Sequence, residues 1–252
     1  MGRLRARRRS PEYWGGHDAV GADPGDGYWT EARTALFRGA LERLEREGGR
    51  GRLLDLGGGV GHFAECGLEA GWDAYSMDVS SLAVAAAAER IGPERSLASL
   101  PPNLDGSFDA VTLWCVIAHV GDPHRVLEQA VRLLRPGGQL FLTTPNFLFQ
   151  KRYAWLLERV GRPLDFLAHD HLLHFTPAAL ERTLRAVGVV RVSYSYVGIT
   201  EDCLFDRRLA KWLVPVKRAW NVVGVGVARL GLPPLSSELQ ALGVKVAASP
   251  EA

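Results

Sequence analysis

The chain has 252 residues, 47% of them hydrophobic and 23% charged, which is ordinary globular usage and excludes intrinsic disorder for its bulk. Its formal net charge of +2 argues against a dedicated nucleic-acid binder with a broad basic face. A chain this long buries one sizeable core, and α/β folds often reach this size as one domain.

Residues 1–29 open with Arg3, Arg5, Arg7, Arg8 and Arg9 and continue with glycines among Pro, Asp and aromatics, which reads as an irregular basic arm. Thr30 is placed to cap a helix over about 31–47, with Leu36, Ala40, Leu41 and Leu44 on one apolar face. Strands and helices then alternate. RLLDL (52–56) is a short buried strand, followed by a helix over about 60–70 that Gly71 ends. DAYSMD (73–78) is a strand, 80–91 an alanine-rich helix, and 95–100 holds a further short strand. FDAVTLWCV (108–116) has the β-branched and aromatic content of a buried strand. Asp122-Pro123 looks like an N-cap with a first-turn proline, opening a helix to about Arg135, and QLFLTT (139–144) is the next strand. Such alternation means βαβ units and a parallel sheet. The pattern breaks at Pro145: an inserted helix and loop fill about 146–175, a helix starts at Thr176-Pro177, and VVRVSYSYV (189–197) is a strand. A second, basic and apolar insertion covers about 203–235, and ELQALGVKVA (238–247) is read as the last strand. The expected fold is a Rossmann-like, doubly wound seven-stranded sheet, mostly parallel with an antiparallel last strand, within a single domain over 30–252.

The most informative segment is Leu53-Leu54-Asp55-Leu56-Gly57-Gly58-Gly59-Val60-Gly61. Glycines directly after a strand let the backbone turn sharply and approach a ligand without obstruction by Cβ, and the following helix start offers unpaired N–H groups. Two ligands compete for this pattern. Gly59-Val60-Gly61-His62-Phe63-Ala64 fits a short dinucleotide fingerprint with Asp78 as the ribose acid. The alternative is D-x-G-x-G-x-G, in which Asp55 meets the cationic amino-acid end of a ligand, directly or through water, where a phosphate would gain nothing. Asp78, ending the second strand, accepts ribose hydroxyls in both cases.

Taken together, LLDLGGGVG, YSMD and FDAVTLWCVIAHVGDPHRVLEQAVRLLRPGGQLFLTTPN resemble the class I S-adenosylmethionine-dependent methyltransferases over about 52–147. Within them the chain is most similar to the ubiquinone-biosynthesis O-methyltransferase type. His119, Val120, Asp122 and Pro123 match that type, whereas Cys115 and Ala118 stand where it carries acids. The resemblance implies S-adenosylmethionine as cofactor, held by Asp55, Gly57, Gly59, Gly61, Asp78 and Val79, with Trp114 beside its methionine portion. Ser99 or backbone groups are then left to recognise adenine. The implied activity is methyl transfer to a small-molecule acceptor, most directly an oxygen nucleophile.

An acceptor hydroxyl needs a base, and histidine suits neutral pH. His119, just past the fourth strand, is one catalytic candidate; the resemblance places His169-Asp170-His171-Leu172-Leu173-His174 near the acceptor pocket, which makes His174 the other. Each has a plain alternative as a packing or backbone-bonded histidine. His171 and Tyr28 are candidates for acceptor contact, and no metal site is expected. The basic amphipathic stretches at 146–168 and 207–231 leave open a peripheral membrane or lipid-like acceptor contact.

Cys66, Cys115 and Cys203 lie far apart, so neither a disulfide framework nor a cysteine zinc site is expected. No apolar run reaches the roughly 18 residues of a membrane helix, and no secretory hydrophobic segment follows the arginines, so a cytoplasmic setting is expected. Base methylation is disfavoured because the segment after the fourth strand reads Trp114-Cys115-Val116-Ile117 in place of an Asn/Asp-Pro-Pro-aromatic turn. The competing functions are a nicotinamide-dependent oxidoreductase, for which no Tyr-x-x-x-Lys is present, and a catalytically inactive cofactor-binding interaction protein.

Overall fold

A computed structural model describes residues 31–159, 172–197 and 238–246. The arm over 1–29 and the insertion at 203–235 lie outside the described residues, as do Tyr28, His169, Asp170 and His171. The chain divides into two compact units, Met1–Leu104 and Asp105–Ala252. They carry the seven strands of a mixed α/β sheet of the Rossmann-like class.

In the first unit, helix α1 (Glu31–Gly48) precedes β1 (Arg52–Leu56), α2 (His62–Glu69), β2 (Asp73–Met77), α3 (Ser81–Ile91) and β3 (Ser96–Leu97). The strands lie in the order β3-β2-β1, all parallel. Helix α1 buries Phe37, Ala40, Leu41 and Leu44, spaced at the helical period, so Phe37 takes the place expected of Leu36. Its ring meets that of Phe63 on α2 edge-on, with centroids 5.3 Å apart. Helix α3 starts where the Ser80 hydroxyl accepts the Ala83 N–H, and it seats Ala83, Ala87 and Ile91 in the core. The small alanines let α3 lie close to its neighbours. At the start of β2, the guanidinium groups of Arg52 and Arg95 lie 5.1 and 5.2 Å from the Tyr75 ring centroid, and both arginines pair with Asp73.

In the second unit, β4 (Phe108–Leu113) leads to α4 (Pro123–Leu133), β5 (Leu134–Pro145), α5 (Phe147–Arg159), α6 (Pro177–Ala186), β6 (Val189–Val197) and β7 (Glu238–Lys245). The strand order is β4-β5-β7-β6, with β4 and β5 parallel and β7 antiparallel to both its neighbours, as expected of the last strand. The Asp122 side chain accepts the Arg125 N–H ahead of Pro123, so the expected cap is present. Strand limits differ from expectation: β3 is only Ser96–Leu97 of the expected 95–100, β7 ends at Lys245 instead of 247, and the limits of β4 and β5 shift most. β4 stops at Leu113 because Cys115 adopts a left-handed backbone (φ 57°), which cannot continue a pleated strand. β5 starts at Leu134 because Leu134 already pairs with Phe108, and the register then shifts before Ala110 meets Gln139. Arg135-Pro136-Gly137-Gly138 is thus absorbed as an irregularity within the strand.

At Gly243, β7 has no room for a side chain against β6. A Cβ there would overlap Val189 Cγ1 and stand 3.3 Å from the Val190 carbonyl. Overpacking of this kind costs about 1–3 kcal/mol. Gly243→Ala should therefore lower the denaturation midpoint by a corresponding amount, with an unchanged denaturant slope.

Candidate functional site

The glycine turn after β1 is built by three left-handed residues, Gly57 (φ 79°), Gly59 (φ 54°) and Gly61 (φ 84°). Each is a conformation that side-chain-bearing residues rarely adopt. The N–H groups of Gly57 and Gly58 both donate to the Met77 carbonyl, at 2.8 and 3.0 Å, which ties the turn to the end of β2. Asp55, at the penultimate position of β1, is 1% exposed, with its carboxylate directly against Gly58. On Gly59 a Cβ would meet nothing within 4 Å, so this part of the turn presents bare backbone to open space.

Asp78 organises the turn. Its Oδ2 accepts the Gly59 N–H and its Oδ1 accepts the Ser80 N–H, each at 2.9 Å. One carboxylate thus fastens the glycine turn to the start of α3. Each oxygen keeps a further lone pair, so acceptor capacity for a pair of hydroxyls remains. Val79 is 75% exposed and Leu82 is 54% exposed, giving apolar surface next to this carboxylate along the chain. These features fit an adenosyl ligand. Open backbone suits close approach, a polar oxygen pair suits a ribose, and exposed apolar side chains suit an adenine. Ser99, just beyond β3, is exposed.

Arg90 braces the turn from α3. Its Nε donates to the Val60 carbonyl at 3.2 Å and its Nη1 to Glu65 at 3.0 Å. Gly61 packs against the same helix, for a Cβ there would stand 3.0 Å from the Ala87 Cβ. Sequence pattern alone misses Arg90, because its partner carbonyl is 30 positions away and carries no residue signature.

In the second unit the candidates sit where β4 and β5 end. Trp114 is half-buried, its ring centroid 5.2 Å from that of Phe141 on β5. The left-handed Cys115 donates its N–H to Thr143 Oγ1 at 3.0 Å, and its thiol lies 3.4 Å from the same oxygen. Thr143 was not anticipated, although a β-branched hydroxyl at the end of a buried strand is a recognisable signal. Beyond the turn, the Ala118 carbonyl accepts the N–H groups of Leu172 and Leu173, at 2.7 and 3.1 Å. The segments carrying His119 and His174 are thereby joined. Asn146 bridges to Phe175, the Phe147 N–H donates to the Phe175 carbonyl, and the rings of Phe147 and His174 lie 5.6 Å apart. Burial pushes the His174 imidazole below the ordinary histidine range, which keeps it neutral and able to accept a proton.

The structure therefore gathers Asp55, Gly57, Gly59, Gly61, Asp78 and Val79 in the first unit and the segments of His119 and His174 in the second. It describes neither Tyr28 nor His171. No helix among the described residues is long and apolar enough to cross a membrane.

Comparison with known proteins agrees with this geometry. Residues 28–194 match the family described as methyltransferase domain. The chain is 32% identical over 170 residues to a ubiquinone biosynthesis O-methyltransferase from Paraburkholderia phymatum, covering 61% of this chain and 69% of that one. It is 30% identical over 151 residues to the protein of the same name from Methylococcus capsulatus, covering 55% of this chain and 62% of its relative. Among solved structures, one from the complex of a Haloferax volcanii methyltransferase activator with a methyltransferase superposes with a TM-score of 0.62 at 20% identity, covering 95% of this chain and 99% of that one. At that identity the likeness speaks for the fold alone. The family match over residues 28–194, which spans the aspartate-locked glycine turn, leads to one assignment: the chain belongs to the methyltransferase domain family and is an S-adenosylmethionine-dependent methyltransferase.

Proposed function

We propose that the chain methylates an oxygen of a small-molecule acceptor of phenolic, quinone-like or glycosidic type, in the cytoplasm, with residues 30–252 acting as one catalytic domain. The observation that carries this reading is the likeness, over 69% of its length, to a protein named for O-methylation in ubiquinone biosynthesis. The family match runs through both units of the chain, which supports a single catalytic domain.

When bound, S-adenosylmethionine supplies an activated methyl group on a sulfonium sulfur. Asp78 holds the ribose hydroxyls, the bare backbone of Gly57, Gly59 and Gly61 lets the ligand lie close, and Val79 flanks the adenine. Asp55 serves the cationic amino-acid end, and Trp114 borders the methionine portion. His174, neutral through burial, takes the hydroxyl proton of the acceptor onto a ring nitrogen as the oxygen–methyl bond forms and the sulfur–methyl bond breaks, its electron pair staying on the sulfur of a neutral thioether product. His119, tied to the same segment through Ala118, is the second candidate for that proton. His171 and Tyr28 complete the acceptor side. Alignment in a dry site supplies much of the rate, because the donor is already activated.

The acceptor side also supports a peripheral contact with an anionic membrane surface. On α5, Leu148, Lys151, Arg152, Trp155 and Arg159 recur at helical spacing and are exposed, while Phe149 is buried. The Arg159 guanidinium lies over the Trp155 ring at 4.1 Å. A basic rim around exposed apolar side chains suits an interfacial helix.

Asp78→Ala should weaken binding of S-adenosylmethionine by about 1.5–3 kcal/mol or more, since charge-assisted bonds to both ligand and turn are lost. Calorimetry on the folded variant checks this, and unchanged affinity contradicts the ribose role. His174→Ala should lower kcat by about 10²–10⁴ with donor affinity intact. Because burial lowers the His174 pKa, its base form persists below the ordinary histidine value. The rate should therefore fall only at more acidic pH, and this acid limb should vanish in the variant. Full turnover in both His119→Ala and His174→Ala rules out either as the base. Co-sedimentation with vesicles containing anionic phosphatidylglycerol should drop for Trp155→Ala and for Lys151→Glu, whereas neutral phosphatidylcholine vesicles should bind neither variant nor parent.

A further inference from the structure

Three glycines of the turn are required by their backbone conformation, but Gly58 is not, since it does not adopt a positive φ. It is glycine for a different reason. A Cβ at position 58 would overlap Ser76 Oγ and stand 2.8 Å from Asp55 Oδ2. Ser76 and Asp55 are register partners on the adjacent parallel strands β2 and β1, and each is 1% exposed. Beneath Gly58 there is thus a buried hydroxyl beside a buried carboxylate. The hydroxyl makes no hydrogen bond to the protein. A buried hydroxyl in that state destabilises a fold, so alanine at position 76 is the better choice for packing alone.

We propose that Ser76 is a positioning residue for the methyl-donor site: with the donor seated on the turn, Ser76 Oγ–H donates to the Asp55 carboxylate and fixes its orientation toward the ammonium end of the ligand. This rests on the reading in which Asp55 serves that end. The physical argument is that a buried carboxylate facing a cation is favourable only when its remaining lone pairs are also bonded. Ser76 offers a donor at the required depth, and Gly58 lacks the side chain that would fill this space. Loss of the hydroxyl should weaken ligands that carry the amino-acid end and spare those that lack it.

The test compares S-adenosylhomocysteine with 5′-methylthioadenosine, which keeps adenine and ribose but has no amino-acid end, by calorimetry on the full chain. Ser76→Ala should bind S-adenosylhomocysteine about tenfold more weakly, the scale of one hydrogen bond to a charged group. It should bind methylthioadenosine as the parent does, with a thermal midpoint equal to or above the parent's. The proposal is overturned if Ser76→Ala binds S-adenosylhomocysteine like the parent. It is also overturned if both ligands weaken equally or if the midpoint falls, for the role is then one of packing. A parent protein that binds neither ligand overturns the donor-site reading itself, an outcome distinct from all of these.

Discussion

The site depends on a single carboxylate. Asp78 stands at the end of β2, and its two oxygens fasten two different stretches of backbone, the glycine turn through Gly59 and the entrance of α3 through Ser80. Without that fastening, a turn with left-handed glycines at 57, 59 and 61 would have high conformational freedom, since glycine loses more entropy on ordering than any other residue. The bonds to Met77 from Gly57 and Gly58 and the brace from Arg90 onto Val60 restrict the same turn from two other sides. An open backbone is useful to a ligand only if it is rigid, and here rigidity comes from neighbours while the ligand-facing side stays bare.

The second unit handles its polar requirements in a comparable way. At the end of β4 the chain turns through a left-handed cysteine, a strained choice for a residue with a side chain, and Thr143 accepts the N–H released by that turn. The Ala118 carbonyl then takes two N–H groups from the segment that leads to His174. The histidine candidates are joined by backbone bonds, so a change of side chain at either position leaves the connection between their segments in place.

Much of this was legible in the sequence, and the exceptions have physical causes. The alternation of strands and helices, the capped starts at Asp122 and Thr176 and the glycine turn follow from local patterns that tertiary packing did not override. The limits of β4 and β5 escape a local reading because apolar content continues through Cys115, while a proline and two glycines hide the early pairing of Leu134 with Phe108. Phe37 displaced Leu36 from the core because the choice between adjacent apolar residues depends on which one meets Phe63, a partner 26 positions away. The same limit applies to Gly58: in the sequence it is one more glycine, and only its closeness to Ser76 separates it from its neighbours. That the segment of His174 lies on the acceptor side is implied by the family resemblance, because no spacing rule relates it to His119 so far away in the chain.

The placement of β7 between β5 and β6 bears on how the molecule is made. During synthesis β5 and β6 emerge long before their common neighbour, since Leu140 pairs with Gly243 and Val189 with Lys245. Until those last residues leave the ribosome, two strand edges stand open, and open edges are templates for association between chains. A ribosome that stalls or terminates shortly before Glu238 would release a chain with an intact glycine turn and an unfinished sheet.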